Sequence, residues 1–402
     1  MALSMNLDSL VNRAWAEINL DHIAHNVGEI RRLAGPRTEI MAVVKADAYG
    51  HGVRETVETM IEAGASRIAV SMLDEAIQLR RLGITVPILV LGYTDPKRAA
   101  EVIRNGVTQT VFSHDLAGAL SSAAQEEGKP ARIHVKIDTG MSRVGFLPGY
   151  SAVKDVVAIS RLPGIVIEGI FTHFSSADDA DPVFTRRQFE LFESMLEELN
   201  RIGVQVPLRH AANSAAILAH PPTMLDLVRP GIILYGILPD AGIRPAGADG
   251  TSITVDFRPA MTLKAHVILV KEIAAGMTVS YGRKWTAPRP SRIATLPIGY
   301  ADGYSRLLSN RARVLVNGQH APVVGSVCMD QCMIDVTDVE GPVAPGDEVV
   351  LFGEQAGNRI AVEELAALSG TIAYETVCLI GKRIPRVYRR GGEIVRIHSY
   401  LL

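Results

Sequence analysis

Eight short apolar segments recur through the first half of the chain, and segments with helical periodicity separate them. The apolar segments are residues 39–45, 67–71, 87–92, 108–112, 132–138, 165–172, 207–211 and 231–236. The clearest helical segment is 182–202, where large apolar residues recur at steps of three and four and Gly203 follows. Eight strands alternating with helices predict an α/β fold whose N-terminal part is a (β/α)8 TIM barrel.

The pattern changes after residue 238. Residues 239–251 (PDAGIRPAGADGT) are rich in Gly, Pro, Ala and Asp and are typical of a linker. Strand-like runs then follow closely at 261–273, 291–298, 313–316, 333–336 and 348–351, with one helical segment at 361–368. The sequence therefore predicts a barrel over 14–250 and a mainly antiparallel β domain over 251–402. Alternatively, the first strand-like run, 14–20, packs with the second domain and not with the barrel.

Composition narrows the classes of partner. The chain has 402 residues, a formal net charge of −2 and 5% aromatic residues, which argues against a nucleic-acid or membrane surface and favours a small-molecule ligand. Three cysteines, Cys328, Cys332 and Cys378, form neither a disulfide framework nor a zinc-site spacing. The first 13 residues lack the apolar stretch of a signal peptide, and no run suits a membrane span. These features predict a cytoplasmic protein without a metal.

Lys45 follows an apolar, β-branched run in the segment EIMAVVKADAYGHG (39–52). In a barrel this position lies at the C-terminal mouth, where active sites of this fold occur. Apolar neighbours desolvate an amine and lower its pKa, which favours Schiff-base chemistry. A surface lysine at a strand end explains the segment equally well, so the segment alone leaves both interpretations open.

Nine segments of the chain carry a recognisable set of motifs: VVKADAYGHG (43–52), KIDTGMSRVG (136–145), THFSSAD (172–178), HAANSAA (210–216), VRPGIILYG (228–236), VSYG (279–282), PIGYADGYSR (297–306), GSVCMDQCM (325–333) and IAYETVCLIGKRIPRVY (372–388). In sequence and in order they resemble the motifs of the alanine racemases, pyridoxal-phosphate enzymes of fold type III. The resemblance covers both predicted domains. It implies a pyridoxal 5′-phosphate-dependent isomerase that interconverts L- and D-alanine.

The resemblance also implies a two-base mechanism. Lys45 is the cofactor lysine and one acid/base group, and Tyr281 acts on the opposite face of the substrate–cofactor imine. In the family this tyrosine comes from the partner subunit. The expected active form is therefore a head-to-tail homodimer with shared active sites.

Further roles follow from the same motifs. Arg229 matches an arginine that donates to the pyridine nitrogen and, because it keeps its proton, leaves the ring a weak electron sink. Besides Lys45 and Arg229, the residues implied to contact the cofactor are Tyr49, His173, Asn213, Ser214, Gly231, Ile232 and Tyr374. Arg143 and Met329 match residues that bind the substrate carboxylate.

Four supporting residues complete the expected site. The lysine matching Lys136 is often carbamylated in the family, which would place an anion beside Arg143. His210 is expected behind the cofactor, and Tyr300 and Asp302 resemble an access channel that limits substrate size. One departure is Ser142, where many relatives have glycine; because serine is small, we expect little effect.

Three alternatives remain at this stage. A racemase of broader specificity shares these motifs, although many such enzymes carry signal peptides. Decarboxylases of basic amino acids share the two-domain plan but use a glycine-rich phosphate loop and a catalytic cysteine, and the barrel half contains no Gly-Gly pair. Single-barrel proteins that bind pyridoxal phosphate without catalysis lack a second domain.

Overall fold

The computed structural model describes residues 13–240, 242–247 and 249–401. The chain forms two compact units. The barrel unit contains Ile23–Ala48 and Val53–Arg258, and the β unit contains the described residues of Met1–His22, Tyr49–Gly52 and Pro259–Leu402.

The first described strand, β1 (Ala14–Asn19), belongs to the β unit. The next eight strands are β2 (Glu39–Val43), β3 (Arg67–Val70), β4 (Ile88–Val90), β5 (Thr108–Val111), β6 (Ala131–Lys136), β7 (Ile165–Phe171), β8 (Leu208–His210) and β9 (Leu227–Val228). They form one parallel sheet in the order β8-β7-β6-β5-β4-β3-β2-β9. Backbone N–H groups of Asp226 and Arg229 donate to the carbonyls of Arg209 and Ala212 at 3.1 and 3.0 Å, which joins the two ends of the sheet. The predicted barrel is confirmed.

The position of the last barrel strand was predicted wrongly. Residues 231–236 contain the 3-10 helix Ile232–Tyr235, while the strand lies earlier, at Leu227–Val228. A short, fully buried apolar run carries no periodicity that separates a strand from a buried helical turn. Gly236, in the left-handed region at φ +77°, ends the turn.

Helices alternate with these strands, and their ends follow local signals. They are α1 (Leu20–Ala34), α2 (Val53–Glu62), α3 (Leu73–Arg81), α4 (Ala99–Arg104), α5 (His114–Glu127), α6 (Tyr150–Ser160), α7 (Val183–Arg201) and α8 (Ser214–Ala219). The predicted helix 182–202 is α7, which buries Phe192, Met195 and Leu199 along one face. Helix α5 begins at the Ser113 hydroxyl, which accepts the Leu116 N–H, and ends at Gly128 in the left-handed conformation.

The β unit is mainly antiparallel, as predicted. The strands after β9 are β10 (Met261–His266), β11 (Leu269–Ile273), β12 (Thr278–Val279), β13 (Trp285–Thr286), β14 (Ser291–Leu296), β15 (Arg313–Val316), β16 (Gln319–Pro322), β17 (Cys332–Asp335), β18 (Glu348–Gln355), β19 (Asn358–Ile360), β20 (Arg386–Arg390) and β21 (Glu393–His398). The largest sheet of the unit has the order β16-β15-β18-β10-β1-β20-β21, with β19 paired to β18. Strand β1 runs antiparallel to β10 and parallel to β20.

Two smaller sheets, β11-β14-β17 and β12-β13, and the helices α9 (Val362–Ser369) and α10 (Ala373–Cys378) complete this unit. Across the described ranges, every helix is too short or too polar to cross a membrane.

Candidate active site

The residues after Lys45 form a left-handed turn at the end of β2. Ala46, Asp47, Ala48 and Tyr49 have φ between +52° and +54°. This conformation costs an L-residue roughly 1–2 kcal/mol because the Cβ approaches the following carbonyl oxygen. Four such residues in a row persist only where the surroundings hold them, and strain of this kind concentrates at functional sites.

Two carboxylates hold this turn. Glu75 Oε1 accepts the Ala46 N–H at 2.6 Å, and its Oε2 accepts the N–H groups of Ser71 and Met72 at 2.8 and 3.3 Å. Asp47 Oδ1 accepts the Val53 N–H at 2.8 Å, where α2 begins. The backbone that follows Lys45 is therefore fixed by both of these side chains.

Arg229 is a buried cation just beyond β9. Its Nη1 donates to His210 Nδ1 at 2.8 Å, and its Nη2 donates to the carbonyls of Thr172 and Ala211 at 2.8 and 2.9 Å. The Phe171 ring stacks on His210, with centroids 4.7 Å apart, and lies 5.1 Å from the guanidinium carbon. Burial lowers the pKa of Arg229 to about 9, so the side chain stays charged at neutral pH.

His173 also lies near these cations. Its Nδ1 is 3.4 Å from Arg229 Nη2. Burial, together with the charges of Arg229, Arg143, Lys136 and Lys45, holds the pKa of His173 well below its ordinary value. The imidazole is therefore neutral, and the charge of Lys45 is one of those that lower its pKa.

Lys136 ends β6 and is buried, with its Nζ donating to the Ile137 carbonyl at 2.7 Å. Burial and the charges of Arg229 and Arg143 lower the pKa of Lys136 to about 7, against the opposing charge of Asp138. A large fraction of this amine is therefore neutral at physiological pH.

Asp138 shapes the loop that carries the exposed Arg143. Its Oδ1 accepts the N–H groups of Gly140 and Ser142, both at 3.0 Å, and its Oδ2 accepts the Arg143 N–H at 3.1 Å. Ser142 has φ +55°, in the region that glycine occupies without strain. The conformation explains why glycine suits this position and shows that serine carries a backbone cost there.

The start of α8 is tied to the segment after β9. Asn213 Oδ1 accepts the Ala216 N–H at 3.0 Å and caps the helix, while Ser214 Oγ accepts the Gly231 N–H at 2.8 Å. Ile232 follows directly as the first residue of the 3-10 helix. The structure thus brings together four of the residues expected to contact the cofactor: Asn213, Ser214, Gly231 and Ile232.

In the β unit, Tyr281 and Met329 lie on loops that are joined to each other. Ser280, at φ +66°, donates from its hydroxyl to the Ser326 carbonyl at 2.6 Å, and the Ser326 hydroxyl donates to the Tyr281 carbonyl at 3.0 Å. Tyr281 and Met329 are 71% and 52% exposed. Both side chains are thus available at the surface of this unit.

Tyr300 is fixed to the same loops. Its N–H donates to the Cys328 carbonyl at 3.0 Å, and the next N–H, of Ala301, donates to the Met329 carbonyl at 3.0 Å. A Cβ at Gly299 would lie 2.2 Å from the Cys328 oxygen, so only glycine allows this approach.

Asp302 is fully buried and does not line a surface. Arg13 donates to both of its oxygens, at 3.0 and 2.8 Å, and the Gly299 N–H donates to Oδ2 at 3.0 Å. Asp302 therefore helps to position Tyr300 by holding the loop on which that residue lies.

Tyr49 and Tyr374 lie together in the β unit, with ring centroids 6.3 Å apart. Burial raises the pKa of Tyr49, so it keeps its hydroxyl proton. A Cβ at Gly50 would lie 2.3 Å from the Val377 carbonyl oxygen, which shows how closely this segment packs on α10, the helix that carries Tyr374.

Comparison with known proteins decides the family. Residues 18–239 match the model described as "Alanine racemase, N-terminal domain", and residues 260–388 match "Alanine racemase, C-terminal domain". The chain belongs to the alanine racemase family. The resemblance seen in the sequence motifs is thereby confirmed.

Individual relatives match along nearly the whole chain. An alanine racemase of Clostridium novyi is 48% identical over 96% of this chain and 98% of its own length, and one of Desulforamulus reducens is 50% identical over 93% and 98%. The solved structure of an alanine racemase from Clostridium difficile 630 has a TM-score of 0.91 at 40% identity, covering 97% of this chain and 99% of that one.

The family implies a pyridoxal-phosphate enzyme, and the donor groups of the barrel unit fit that cofactor. Arg229 Nε has no acceptor among the described residues, so a donor is left for a ring nitrogen. Lys45 supplies the primary amine that an aldehyde requires, and Ser214 supplies a hydroxyl beside a helix start. Within the described ranges no group of three or more His, Cys, Asp or Glu side chains could hold a metal ion.

Proposed function

We propose that this alanine racemase-family chain interconverts L- and D-alanine, with pyridoxal 5′-phosphate attached to Lys45. The observation that carries the proposal is the buried Arg229, whose guanidinium donates to neutral acceptors and keeps one donor for the cofactor ring. An arginine cannot protonate that ring nitrogen at neutral pH. This favours a reversible proton transfer at Cα over reactions that require a strong electron sink.

The chemistry divides between cofactor and protein. When bound, pyridoxal phosphate supplies the aldehyde that holds the amine and the conjugated ring that acidifies the substrate Cα. Lys45 removes or returns the Cα proton on one face. Arg143 binds the substrate carboxylate, and the backbone N–H of Met329, from the other protomer, is the second contact in our proposal. Ser214, Gly231, Ile232, Asn213, Tyr49 and Tyr374 hold the phosphate end of the cofactor, while His173 lies against its ring.

Tyr281 is the second acid/base group in this proposal, and it acts on the opposite face. It serves the active site of the other protomer in a head-to-tail homodimer. Three exposed apolar side chains on joined loops of the β unit support self-association of this kind. They are Tyr281, Tyr300 and Met329, which are 71%, 42% and 52% exposed.

Borohydride trapping tests the attachment of the cofactor. Reduction of the holoenzyme should place a stable pyridoxyl group on the peptide that contains Lys45, and Lys45→Ala should abolish both the adduct and racemisation. The exposed Lys154 provides the matched control, since Lys154→Ala should change neither. An adduct on another lysine in the native holoenzyme would overturn the assignment.

The loss of circular dichroism on a panel of pure L-amino acids tests the substrate, and alanine should be converted much faster than lysine or arginine.

Tyr281→Phe tests the second base. It should abolish racemisation while exchange of the Cα hydrogen with deuterated water continues from one enantiomer. Tyr93→Phe, at a tyrosine that is 62% exposed in the barrel unit, should leave the rate unchanged.

A further inference from the structure

A line of buried and half-buried polar side chains runs through the barrel unit behind Arg229. His210 Nε2 lies 2.8 Å from His134 Nδ1, on the side opposite to the Arg229 contact. His134 Nε2 lies 3.6 Å from Glu168 Oε2, and Glu168 Oε1 accepts from Arg67 Nη1 at 3.1 Å. The line therefore connects the C-terminal end of β9 to the start of β3.

The chemistry of the groups fixes where each proton lies. Arginine can only donate, so His210 Nδ1 accepts and His210 carries its proton on Nε2. That proton is donated to His134 Nδ1, which leaves the proton of His134 on Nε2, facing the Glu168 carboxylate. Both rings are fully buried, and burial together with nearby arginines lowers their pKa values, so both are neutral.

The surrounding backbone is shaped for this arrangement. A Cβ at Gly169 would lie 2.7–2.9 Å from three atoms of the His134 ring, so the ring occupies space that only a glycine leaves open. The pairing of β6 with β7 shifts its register between Ile133 and His134, next to this contact. Phe171 covers the other ring, with an interplanar angle of 6° to His210.

Glu168 is itself held firmly. The Thr108 hydroxyl donates to its Oε2 at 3.1 Å, and Arg67 also pairs with Glu39, at 2.7 Å. His134, whose Nε2 faces the carboxylate at 3.6 Å, and Arg67, which pairs with it, outweigh burial and lower the pKa of Glu168, so the residue is a carboxylate at neutral pH. Among the described residues, no carboxylate accepts a hydrogen bond from Arg229, and the carboxylate that its hydrogen-bonded histidines face is Glu168, 3.6 Å from His134 Nε2.

We propose that Glu168 and His134 are positioning residues for Arg229. The carboxylate selects the Nε2–H form of His134, which selects the Nε2–H form of His210, and this leaves His210 Nδ1 as a fixed acceptor for Arg229 Nη1. The guanidinium is thereby held in one orientation, with Nε directed to the cofactor ring. Only this last step rests on the proposed function; the order of protons in the two rings does not.

Glu168→Gln tests the order of protons directly. Arg67 requires an oxygen, so the amide nitrogen of the new side chain faces His134 Nε2 and demands an acceptor there. We expect nitrogen-15 NMR of histidine-labelled protein without cofactor to show Nε2–H on both rings in the native chain and a changed form of His134 in the variant. Glu39→Gln is the control, since Glu39 binds the same arginine without facing His134.

The functional consequence is measured on the holoenzyme. Glu168→Gln should lower kcat by about tenfold, the lower end of the effect seen when a carboxylate that orients a metal-bound histidine is removed, while KM for alanine changes little. Glu39→Gln should change neither. Unchanged proton positions in Glu168→Gln, or an unchanged kcat despite changed positions, would overturn the proposal.

A second pair of variants decides the question if Glu168→Gln fails to fold. His134→Gln supplies an acceptor for His210 and a donor for Glu168, whereas His134→Leu supplies neither. In the first variant we expect His210 to keep its Nε2–H form and the enzyme to keep most of its kcat. In the second variant we expect both to be lost. Equal behaviour of the two variants would contradict the proposal. If the proton positions follow it but the native holoenzyme does not racemise alanine, the proposed function fails and the positioning line stands.

Discussion

The carboxylate of Glu75 accepts the backbone N–H of Ala46 at 2.6 Å, across 29 residues of sequence. Its other oxygen accepts the two N–H groups that precede α3. One side chain therefore caps a helix and holds the strained turn that follows Lys45. The position of Lys45 depends on a residue that lies on a different β/α segment of the barrel.

Glu75→Gln should destabilise the protein and lower its activity. The glutamine side chain has one oxygen and one NH2 group. The backbone N–H of Ala46, or those of Ser71 and Met72, would therefore face the NH2 group and lose their acceptor. An unsatisfied donor at a partly exposed position costs about 1–2 kcal/mol. Urea unfolding measures this change, and borohydride trapping measures whether the amine of Lys45 still reacts.

The neighbouring Asp74 provides the control for that experiment. Its side chain is 63% exposed and pairs with Arg98 at the surface. Because surface ion pairs contribute about 0–1 kcal/mol, Asp74→Asn should leave both measurements nearly unchanged. If the two variants behaved alike, Glu75 would have no special role in the turn.

Lys136 should make stability depend on pH. Its pKa falls from 10.5 to about 7 on folding, so between these values the unfolded chain binds more protons than the folded one. Stability therefore rises with pH in this window, by up to about 1.4 kcal/mol per pH unit. Below pH 7 the full cost of burying the charged amine is present.

Unfolding of the native chain and of Lys136→Met should be compared from pH 7 to 10 in buffers free of carbon dioxide. The native chain should gain stability relative to the variant as pH rises, and parallel curves would show that Lys136 is not buried as the structure describes. Adding labelled bicarbonate to the native chain should then give a carbamate signal that Lys136→Met lacks.

Much of this candidate site could be predicted from the sequence because its residues lie in short, contiguous motifs. The run 40–44 before Lys45 predicted a strand end, and the strand β2 ends at Val43. Glu75 and Glu168 were missed because their partners are 29 and 34 residues away, and only the barrel brings them together. The signal available for Glu75 was its place three residues after the helix cap at Met72, which predicts a cap and nothing more.

Backbone conformation was the second feature of the site that the sequence did not predict. The left-handed turn contains Ala46 and Ala48, which contradicts local propensity because alanine does not favour positive φ. The hydrogen bond from Ala46 to Glu75, on another β/α segment, helps to hold it. The same holds for Ser142, where the residue type gave no indication of φ +55°. Strain that the fold imposes on ordinary residues leaves no pattern in the sequence.

Gly299→Ala should destabilise the β unit. The new Cβ would lie 2.2 and 2.5 Å from the carbonyl oxygens of Cys328 and Met329, which are backbone atoms and cannot rotate away. Overpacking of this kind costs about 1–3 kcal/mol. Gly118→Ala is the control, because Gly118 lies inside α5 and a Cβ there would meet no atom beyond its own helix backbone within 4 Å. That change should be neutral or stabilise by about 0.5–1 kcal/mol in urea unfolding.

Asp138→Asn should weaken substrate binding without slowing the chemical step. The amide oxygen would accept from Gly140 and Ser142, which leaves an N–H group facing the N–H of Arg143 and loosens the loop. If Arg143 binds the alanine carboxylate equally in the ground and transition states, KM rises by about tenfold and kcat stays nearly constant. Asp179→Asn removes a comparable carboxylate that accepts the Asp181 N–H at 3.0 Å in an exposed loop, and it should change neither constant. A fall in kcat with KM unchanged would instead mean that Arg143 acts on the transition state alone.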